Sequence, residues 1–169
     1  IGARFARFAK AFDLKVIGVR RDASQKAENI DRMVATRDLG SVLPEADIIV
    51  LACPLNAETE KLIDSKALGA MKPTAQLVNV ARGKVVDTDA LVAALKEGRL
   101  AGACLDVTDP EPLPEGHPLW DLPNCIITPH AGSTWDMSVP LLSERIATNV
   151  RRFGRSEALI GPVDPDLKY

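Results

Sequence analysis

The sequence is poor in metal-binding and disulfide-forming residues. Its 169 residues include three cysteines, Cys53, Cys104 and Cys125, and two histidines. The cysteines are odd in number and form no CxxC pair, which predicts buried free thiols in a reducing compartment, the cytoplasm, and not disulfides. With so few histidines beside them, no metal site is predicted.

The sequence also lacks an excess of positive charge and a long apolar run. It has 21 lysines and arginines against 23 acidic residues, a formal net charge of -2. No basic field is therefore expected to attract nucleic acid or an anionic membrane. No apolar run approaches the roughly 18 residues of a membrane-spanning helix, and the first residues lack the pattern of a signal peptide. The remaining class is a soluble globular protein of one domain.

Short apolar runs alternate with helical patterns along the chain. Phe5, Phe8 and Phe12 recur at helical spacing, Asp87 or Thr88 begins a later helix, and a long amphipathic helix is predicted from Ser138. Strands are predicted at residues 14–19, 33–36, 47–52, 75–80, 101–107 and 125–128, and a short helix at 37–43. The runs are continuously apolar, as in parallel strands covered on both faces. The pattern predicts an α/β fold with a doubly wound parallel sheet.

Four polar side chains lie at or after the predicted strand ends. Arg82, Asp106 and His130 each end or follow a strand, and Glu111 lies in the proline-rich loop after Asp106. Ligands bind at this edge of an open α/β sheet. An arginine there can hold a carboxylate with two donors, and a histidine beside a carboxylate can exchange a proton near neutral pH. Each also has a structural interpretation: Arg82 and Glu111 as solvated loop residues, Asp106 as a turn residue, and His130 as a hydrogen-bonded structural residue.

The start of the chain has features of a dinucleotide-binding unit. Gly2 opens the first predicted helix, where a glycine permits close approach of a phosphate. Arg20 and Arg21 close the following strand, near the position that contacts the adenosine ribose. Arginine accommodates the 2′-phosphate of NADP, whereas an acidic residue favours NAD. The two arginines therefore favour NADP, and Asp22 leaves NAD open.

Four segments resemble, in the same order, motifs of the D-isomer specific 2-hydroxyacid dehydrogenases. They are residues 77–91, 105–114, 118–120 and 128–130. The separations match as well, with 29 positions from Arg82 to Glu111 and 19 from Glu111 to His130. The resemblance covers nearly the whole chain. It implies a Rossmann-type dinucleotide-binding domain at residues 1–153, followed by a segment at 154–169 that returns to a substrate domain.

The resemblance also implies a role for each matching residue. Arg82 would orient the substrate, His130 would donate a proton to its carbonyl, and Glu111 would be the partner of His130. Asp106 would bind the nicotinamide carboxamide. Other cofactor contacts are implied for Ile1 and Gly2 in the phosphate loop, and for Cys53, Pro54, Val80 and Ala81 along the groove. The implied reaction is hydride transfer between NAD(P)H and a small 2-keto acid, such as glyoxylate or hydroxypyruvate, by a homodimer.

The sequence departs from the family at its amino-terminal end. The family has a strand, the first glycines of G-x-G-x-x-G and a substrate domain before the position of Ile1. The chain is therefore expected to be a fragment whose sheet lacks its first strand, with weak or no activity alone. Two alternatives stay open: a phosphoglycerate dehydrogenase-like enzyme, and a dinucleotide-sensing corepressor that keeps the same fold and triad.

Overall fold

The computed structural model of the chain describes residues 1–163 and 165. The chain divides into two compact units, Ile1–Thr128 and Pro129–Tyr169. The predicted C-terminal segment at 154–169 lies partly outside the described residues, and the predicted domain boundary at residue 153 stays a prediction.

The first unit contains short parallel strands in two sheets. The strands are β1 (Ile17–Arg20), β2 (Arg32–Ala35), β3 (Ile48–Leu51), β4 (Gln76–Asn79), β5 (Gly102–Leu105) and β6 (Cys125–Ile127). β1 pairs with β2, and the larger sheet has the order β3-β4-β5-β6, with every neighbouring pair parallel. Each strand lies within one residue of a predicted apolar run. The predicted α/β class with a parallel sheet is confirmed.

Four α-helices are present in the described residues. They are α1 (Gly2–Ala11), α2 (Ser65–Ala70) and α3 (Thr88–Lys96) in the first unit, and α4 (Trp135–Gly154) in the second. The side chains of Asp64 and Asp87 cap α2 and α3 by accepting the backbone N–H of Ala67 and Ala90. The predicted helix start at Asp87 or Thr88 is therefore confirmed as the start of α3, with Asp87 as the cap.

The larger sheet and two of the helices form the hydrophobic core of the first unit. Leu77 of β4 and Leu105 of β5 are buried, together with Leu68 of α2 and Leu91 of α3. The expected cover on both faces is not found: in β4, Leu77 and Asn79 are buried whereas Gln76 is exposed, so the sheet is fully buried on one face only. This core holds β4 and β5 rigidly, and the loops after these two strands carry predicted site residues.

Three structural expectations need correction. The helix predicted at residues 37–43 is instead two short 3₁₀ turns, Thr36–Ser41 and Leu43–Glu45, and Pro44 lies within the second one. The long helix α4 begins at Trp135 and not at Ser138, whose hydroxyl donates to the carbonyl of Thr134 from inside the first turns. The three cysteines are free thiols, but they are half-buried and not buried as expected.

No helix among the described residues is long and apolar enough to cross a membrane.

Candidate active site

The carboxyl ends of β4, β5 and β6 bring several predicted residues to one edge of the larger sheet. These strands are parallel neighbours, so the loops that follow them leave the sheet on the same side. Arg82 lies three residues beyond β4, and Asp106 directly follows β5. Glu111 is in the loop after Asp106. The first unit therefore presents an arginine and two carboxylates along this edge.

Asp106 is oriented by a residue that was not predicted from the sequence. The hydroxyl of Thr128, just after β6, donates to Oδ1 of Asp106 at 2.6 Å. The backbone N–H of Asp106 donates to the carbonyl of Asn79 at 3.0 Å, which ties the end of β5 to the end of β4. A carboxylate has two acceptor oxygens. Asp106 can therefore accept an amide donor from a ligand in addition to the Thr128 hydroxyl.

Arg82 lies in a turn that the side chain of Asn79 holds on both sides. Asn79 is only 1% exposed, although it is polar. Its Oδ1 accepts the backbone N–H of Ala81 at 3.0 Å, and its Nδ2 donates to the carbonyl of Arg82 at 3.0 Å. The Arg82 guanidinium donates through Nη1 to the carbonyl of Ala81 at 2.6 Å. Asn79 was not among the predicted site residues; a polar residue ending an apolar strand was the available signal.

Gly83 brings the Arg82 turn into contact with the loop that carries Glu111. A Cβ atom at Gly83 would lie 1.9 Å from the carbonyl oxygen of Thr108, so only glycine fits this close approach. The backbone N–H of Thr108 faces Oε2 of Glu111 at 3.4 Å, and its hydroxyl donates to the carbonyl of Pro110 at 2.9 Å. The two loops therefore pack backbone against backbone. Gly83 is a further residue whose role the sequence patterns did not reveal.

His130 belongs to the second unit, two residues after the first unit ends. Its backbone φ of 54° lies in the left-handed region, which is uncommon for a residue other than glycine. Backbone of this kind often marks functional sites, so the observation motivates a functional hypothesis for His130. Its role as the proton donor stays a prediction.

The two arginines predicted to contact the cofactor lie at the end of β1. Arg20 is the last residue of β1 and donates to Oε1 of Gln25 at 2.8 Å. Arg21 follows and pairs with Oε2 of Glu58, in the loop after β3, at 2.9 Å. Asp22 accepts the hydroxyl and the backbone N–H of Ser24, and these hydrogen bonds hold the pKa of Asp22 below its usual value. The carboxylate of Asp22 therefore closes a local turn, which weakens the case for a ribose contact.

A cleft of about 480 Å³ opens beside Arg21, with walls of mixed chemistry. It is lined by Arg21, Thr36, Arg37, Glu58 and Leu62. Its two guanidinium groups and its hydroxyl can bind a phosphate, whereas the Glu58 carboxylate, which pairs with Arg21, repels one. A dinucleotide contact at this cleft stays a prediction.

The remaining predicted cofactor residues follow β3 and β4 or begin α1. Cys53 is half-buried, and burial raises the pKa of its thiol. The carbonyl of Pro54 accepts a hydrogen bond from the hydroxyl of the buried Thr59 at 2.6 Å, which fixes the loop after β3. Val80 and Ala81 directly follow β4.

Ile1 and Gly2 stand at the start of α1. Ile1 is the N-cap residue, and the space beside Gly2 is open, with no atom within 4 Å of the position that a Cβ would take there. The first N–H groups of a helix lack helical partners and can bind an anion. The role of both residues toward the phosphates stays a prediction. Elsewhere, within residues 1–163 and 165, no group of acidic, histidine or cysteine side chains could hold a metal ion.

Parallel strands, polar loops at their carboxyl edge and an arginine-lined cleft define the first unit as a dinucleotide-binding domain of the Rossmann type. Residues 1–132 match the family model of the D-isomer specific 2-hydroxyacid dehydrogenase, NAD binding domain. The chain belongs to this family, as its motifs predicted.

Relatives and solved structures agree with this membership. The chain is 44% identical over 157 residues to the glyoxylate reductase of Pyrococcus furiosus, covering 93% of the chain and 46% of the relative. A D-isomer specific 2-hydroxyacid dehydrogenase from Xanthobacter autotrophicus Py2, in complex with NADPH and MES, has a TM-score of 0.90 at 35% identity, covering 99% of this chain and 68% of that one.

A third similar protein is the NADPH-dependent glyoxylate/hydroxypyruvate reductase of Sinorhizobium meliloti, in complex with NADP and sulfate. It has a TM-score of 0.90 at 26% identity, covering 99% of this chain and 54% of that one. The chain spans about half the length of the curated relatives it matches, between 46% and 55% in the first two.

Proposed function

We propose that the protein containing this chain reduces a small 2-keto acid, glyoxylate or hydroxypyruvate, to the D-2-hydroxy acid with NAD(P)H. The observation that carries the proposal is the contact between the Arg82 turn and the Glu111 loop through Gly83. This contact joins the loop that carries Arg82 to the loop that carries Glu111, and both loops contain motifs that resemble the family. The similarity to glyoxylate reductases supports the choice of substrate.

In the proposed mechanism, Arg82 holds the anionic substrate. Its planar guanidinium can bind the carboxylate and the keto oxygen with two parallel donors, which fixes the carbonyl carbon for attack. When bound, the nicotinamide supplies the hydride to that carbon. His130 gives its proton to the keto oxygen, so that the product is the hydroxy acid. Family resemblance makes Glu111 the partner of His130.

Cofactor binding is divided between two places in the first unit. Asp106, oriented by Thr128, accepts the amide N–H of the nicotinamide carboxamide. Arg20 and Arg21 would contact the adenosine end, where their charge would favour a 2′-phosphate. The NADPH and NADP complexes of two similar structures support NADP over NAD. Ile1 and Gly2 would contact the phosphates, and Cys53, Pro54, Val80 and Ala81 would line the groove between the two ends.

The test is turnover by the full-length protein with a panel of 2-keto acids and either NADH or NADPH. We expect oxidation of NADPH with glyoxylate or hydroxypyruvate, at a lower KM than for NADH. Turnover confined to a phosphorylated hydroxypyruvate would favour the phosphoglycerate dehydrogenase-like alternative. Dinucleotide binding without turnover on any keto acid would favour a corepressor-like sensor and contradict the proposal.

The family resemblance also motivates a cytoplasmic homodimer. Sedimentation equilibrium of the full-length protein tests this state, and a single monomeric species at micromolar concentration would contradict it.

A further inference from the structure

We propose that Asn79 is a positioning residue that aims Arg82 at the substrate and thereby sets the affinity for the 2-keto acid. The inference rests on the proposed function of Arg82. The Asn79 side chain bonds the backbone on both sides of the Arg82 Cα, at Ala81 N–H and at the Arg82 carbonyl. It therefore controls the direction in which the arginine leaves the main chain.

The backbone of Asn79 is anchored to the neighbouring strands. As the last residue of β4, it pairs in register with Leu51 of β3 and Leu105 of β5. Its carbonyl accepts the N–H of Asp106 at 3.0 Å. Asn79 is 1% exposed and its backbone is fixed in the sheet, so its side chain has little conformational freedom. It can transmit the rigidity of the sheet to the loop.

A separate contact fixes the far side of the same turn. The Cα of Gly83 lies against the Thr108 carbonyl, which blocks movement of the turn toward the Glu111 loop. The N–H of Val85 donates to the Arg82 carbonyl at 3.1 Å, so this oxygen accepts from both Asn79 and the following 3₁₀ turn. Arg82 is thus held by the sheet on one side and by the Glu111 loop on the other.

Only a side-chain amide provides the required donor and acceptor at this distance from the backbone. Aspartate keeps the acceptor for Ala81 N–H, but when ionised it has no donor for the Arg82 carbonyl. Alanine removes both bonds: the Ala81 N–H loses its partner, whereas the Arg82 carbonyl keeps the hydrogen bond from the Val85 N–H. Asparagine, aspartate and alanine therefore form a graded series for the experiment.

The experiment uses Asn79→Asp and Asn79→Ala in the full-length protein, with Asn124→Ala as the matched control. Asn124 lies just before β6, at the opposite edge, and its amide donates to the carbonyl of Leu95 at 3.2 Å. We expect both Asn79 variants to raise the KM for the keto acid about tenfold or more at pH 8, because small misplacements of a positioning group are costly. The Kd for NADPH, measured by fluorescence titration, is expected to stay within about twofold in all three variants.

A series of measurements at different pH distinguishes a positioning role of Asn79 from a general loss of structure. Burial raises the pKa of an introduced carboxyl, and its protonated form regains a donor. The KM ratio of Asn79→Asp to wild type is therefore expected to fall toward one as the pH is lowered from 8 to 6, whereas the ratio for Asn79→Ala stays constant. Binding of oxalate, an unreactive anion resembling the substrate, to the NADP-loaded protein should follow the same pattern.

Three outcomes would overturn the inference. They are an unchanged KM and oxalate affinity in both Asn79 variants, an equal rise of KM in Asn124→Ala, and an Asn79→Asp ratio that does not change with pH. If Asn79→Ala does not fold, the pH series within Asn79→Asp decides alone. Absence of both turnover and oxalate binding in the wild type would instead contradict the proposed function.

Discussion

The two histidines of the chain have different surroundings. Nδ1 of His117 accepts the backbone N–H of Leu119 at 3.2 Å and caps the 3₁₀ turn Pro118–Trp120. That nitrogen is engaged in holding a loop. His130 instead sits two residues after Thr128 in a left-handed backbone conformation. The pair therefore offers an internal control for the proposed proton donor.

The first prediction concerns these histidines. His130→Gln should lower kcat for keto-acid reduction by about 10²–10⁴-fold, because a positioned proton donor contributes this much. His117→Gln should change kcat by less than about threefold and act on stability through the loss of the turn cap. Steady-state kinetics of both variants with saturating NADPH provide the measurement. Equal kcat values in the two variants would remove His130 from the mechanism.

Arg21 permits a second prediction, on cofactor choice. Its guanidinium lines the cleft of about 480 Å³ and pairs with Glu58. Arg21→Ala should raise the KM for NADPH about tenfold and leave that for NADH nearly unchanged, because only the former offers a phosphate for a charge-assisted bond. The control is Arg99→Ala, which removes an exposed arginine whose partner is Glu97. A wild type that prefers NADH would contradict the assignment of Arg20 and Arg21.

At the scale of elements, helix α3 follows the turn that contains Arg82, and its first turn is stabilised by one aspartate. Asp87 caps the helix and pairs with Lys61 at 2.9 Å. The hydrogen bond from Lys61, followed by that from the backbone of Ala90, lowers the pKa of Asp87 below 3.8. A lowered pKa in the folded state stabilises the fold above the unfolded pKa, and the contribution is lost as the pH falls through the folded value.

The third prediction follows from the lowered pKa of Asp87. Asp87→Ala should lose about 1 kcal/mol of stability at pH 7, mainly from the missing cap, since the ion pair is partly exposed. The difference from wild type should shrink as the pH is lowered from 5 through the lowered pKa of Asp87, where the carboxyl becomes protonated. Thermal unfolding across this range measures the effect. Asp89→Ala, in the first turn of the same helix, is the control; an equal, pH-independent loss in both variants would refute the role of Asp87.

On the scale of the whole molecule, the chain covers 46% of a glyoxylate reductase. The family resemblance implies that further donors to the substrate carboxylate lie in a second domain. The fourth prediction is that the 169-residue chain alone turns over glyoxylate or hydroxypyruvate weakly or not at all. Parallel assays of this chain and the full-length protein at equal concentration measure the difference. Comparable turnover numbers would contradict the need for further substrate donors.

Much of the fold and part of the candidate site were predictable from local patterns. Each strand was found because it lies in a short apolar run, which is a local pattern of the sequence. The start of α4 was misplaced because Ser138 looks like a cap, although it bonds Thr134 from within the helix. Arg82, Glu111 and His130 were identified through motifs and their separations, and their catalytic roles stay predictions.

The sequence by itself determined the α/β class, the family and the residue types at the strand ends, because these depend on periodicity and on motifs that are local along the chain. Only the tertiary structure decided how Arg82 is held. The contacts of Gly83 with Thr108 and of Thr128 with Asp106 depend on which strands become neighbours. Strand order sets these distances, and residues 22 or 25 positions apart carry no local pattern that records their meeting.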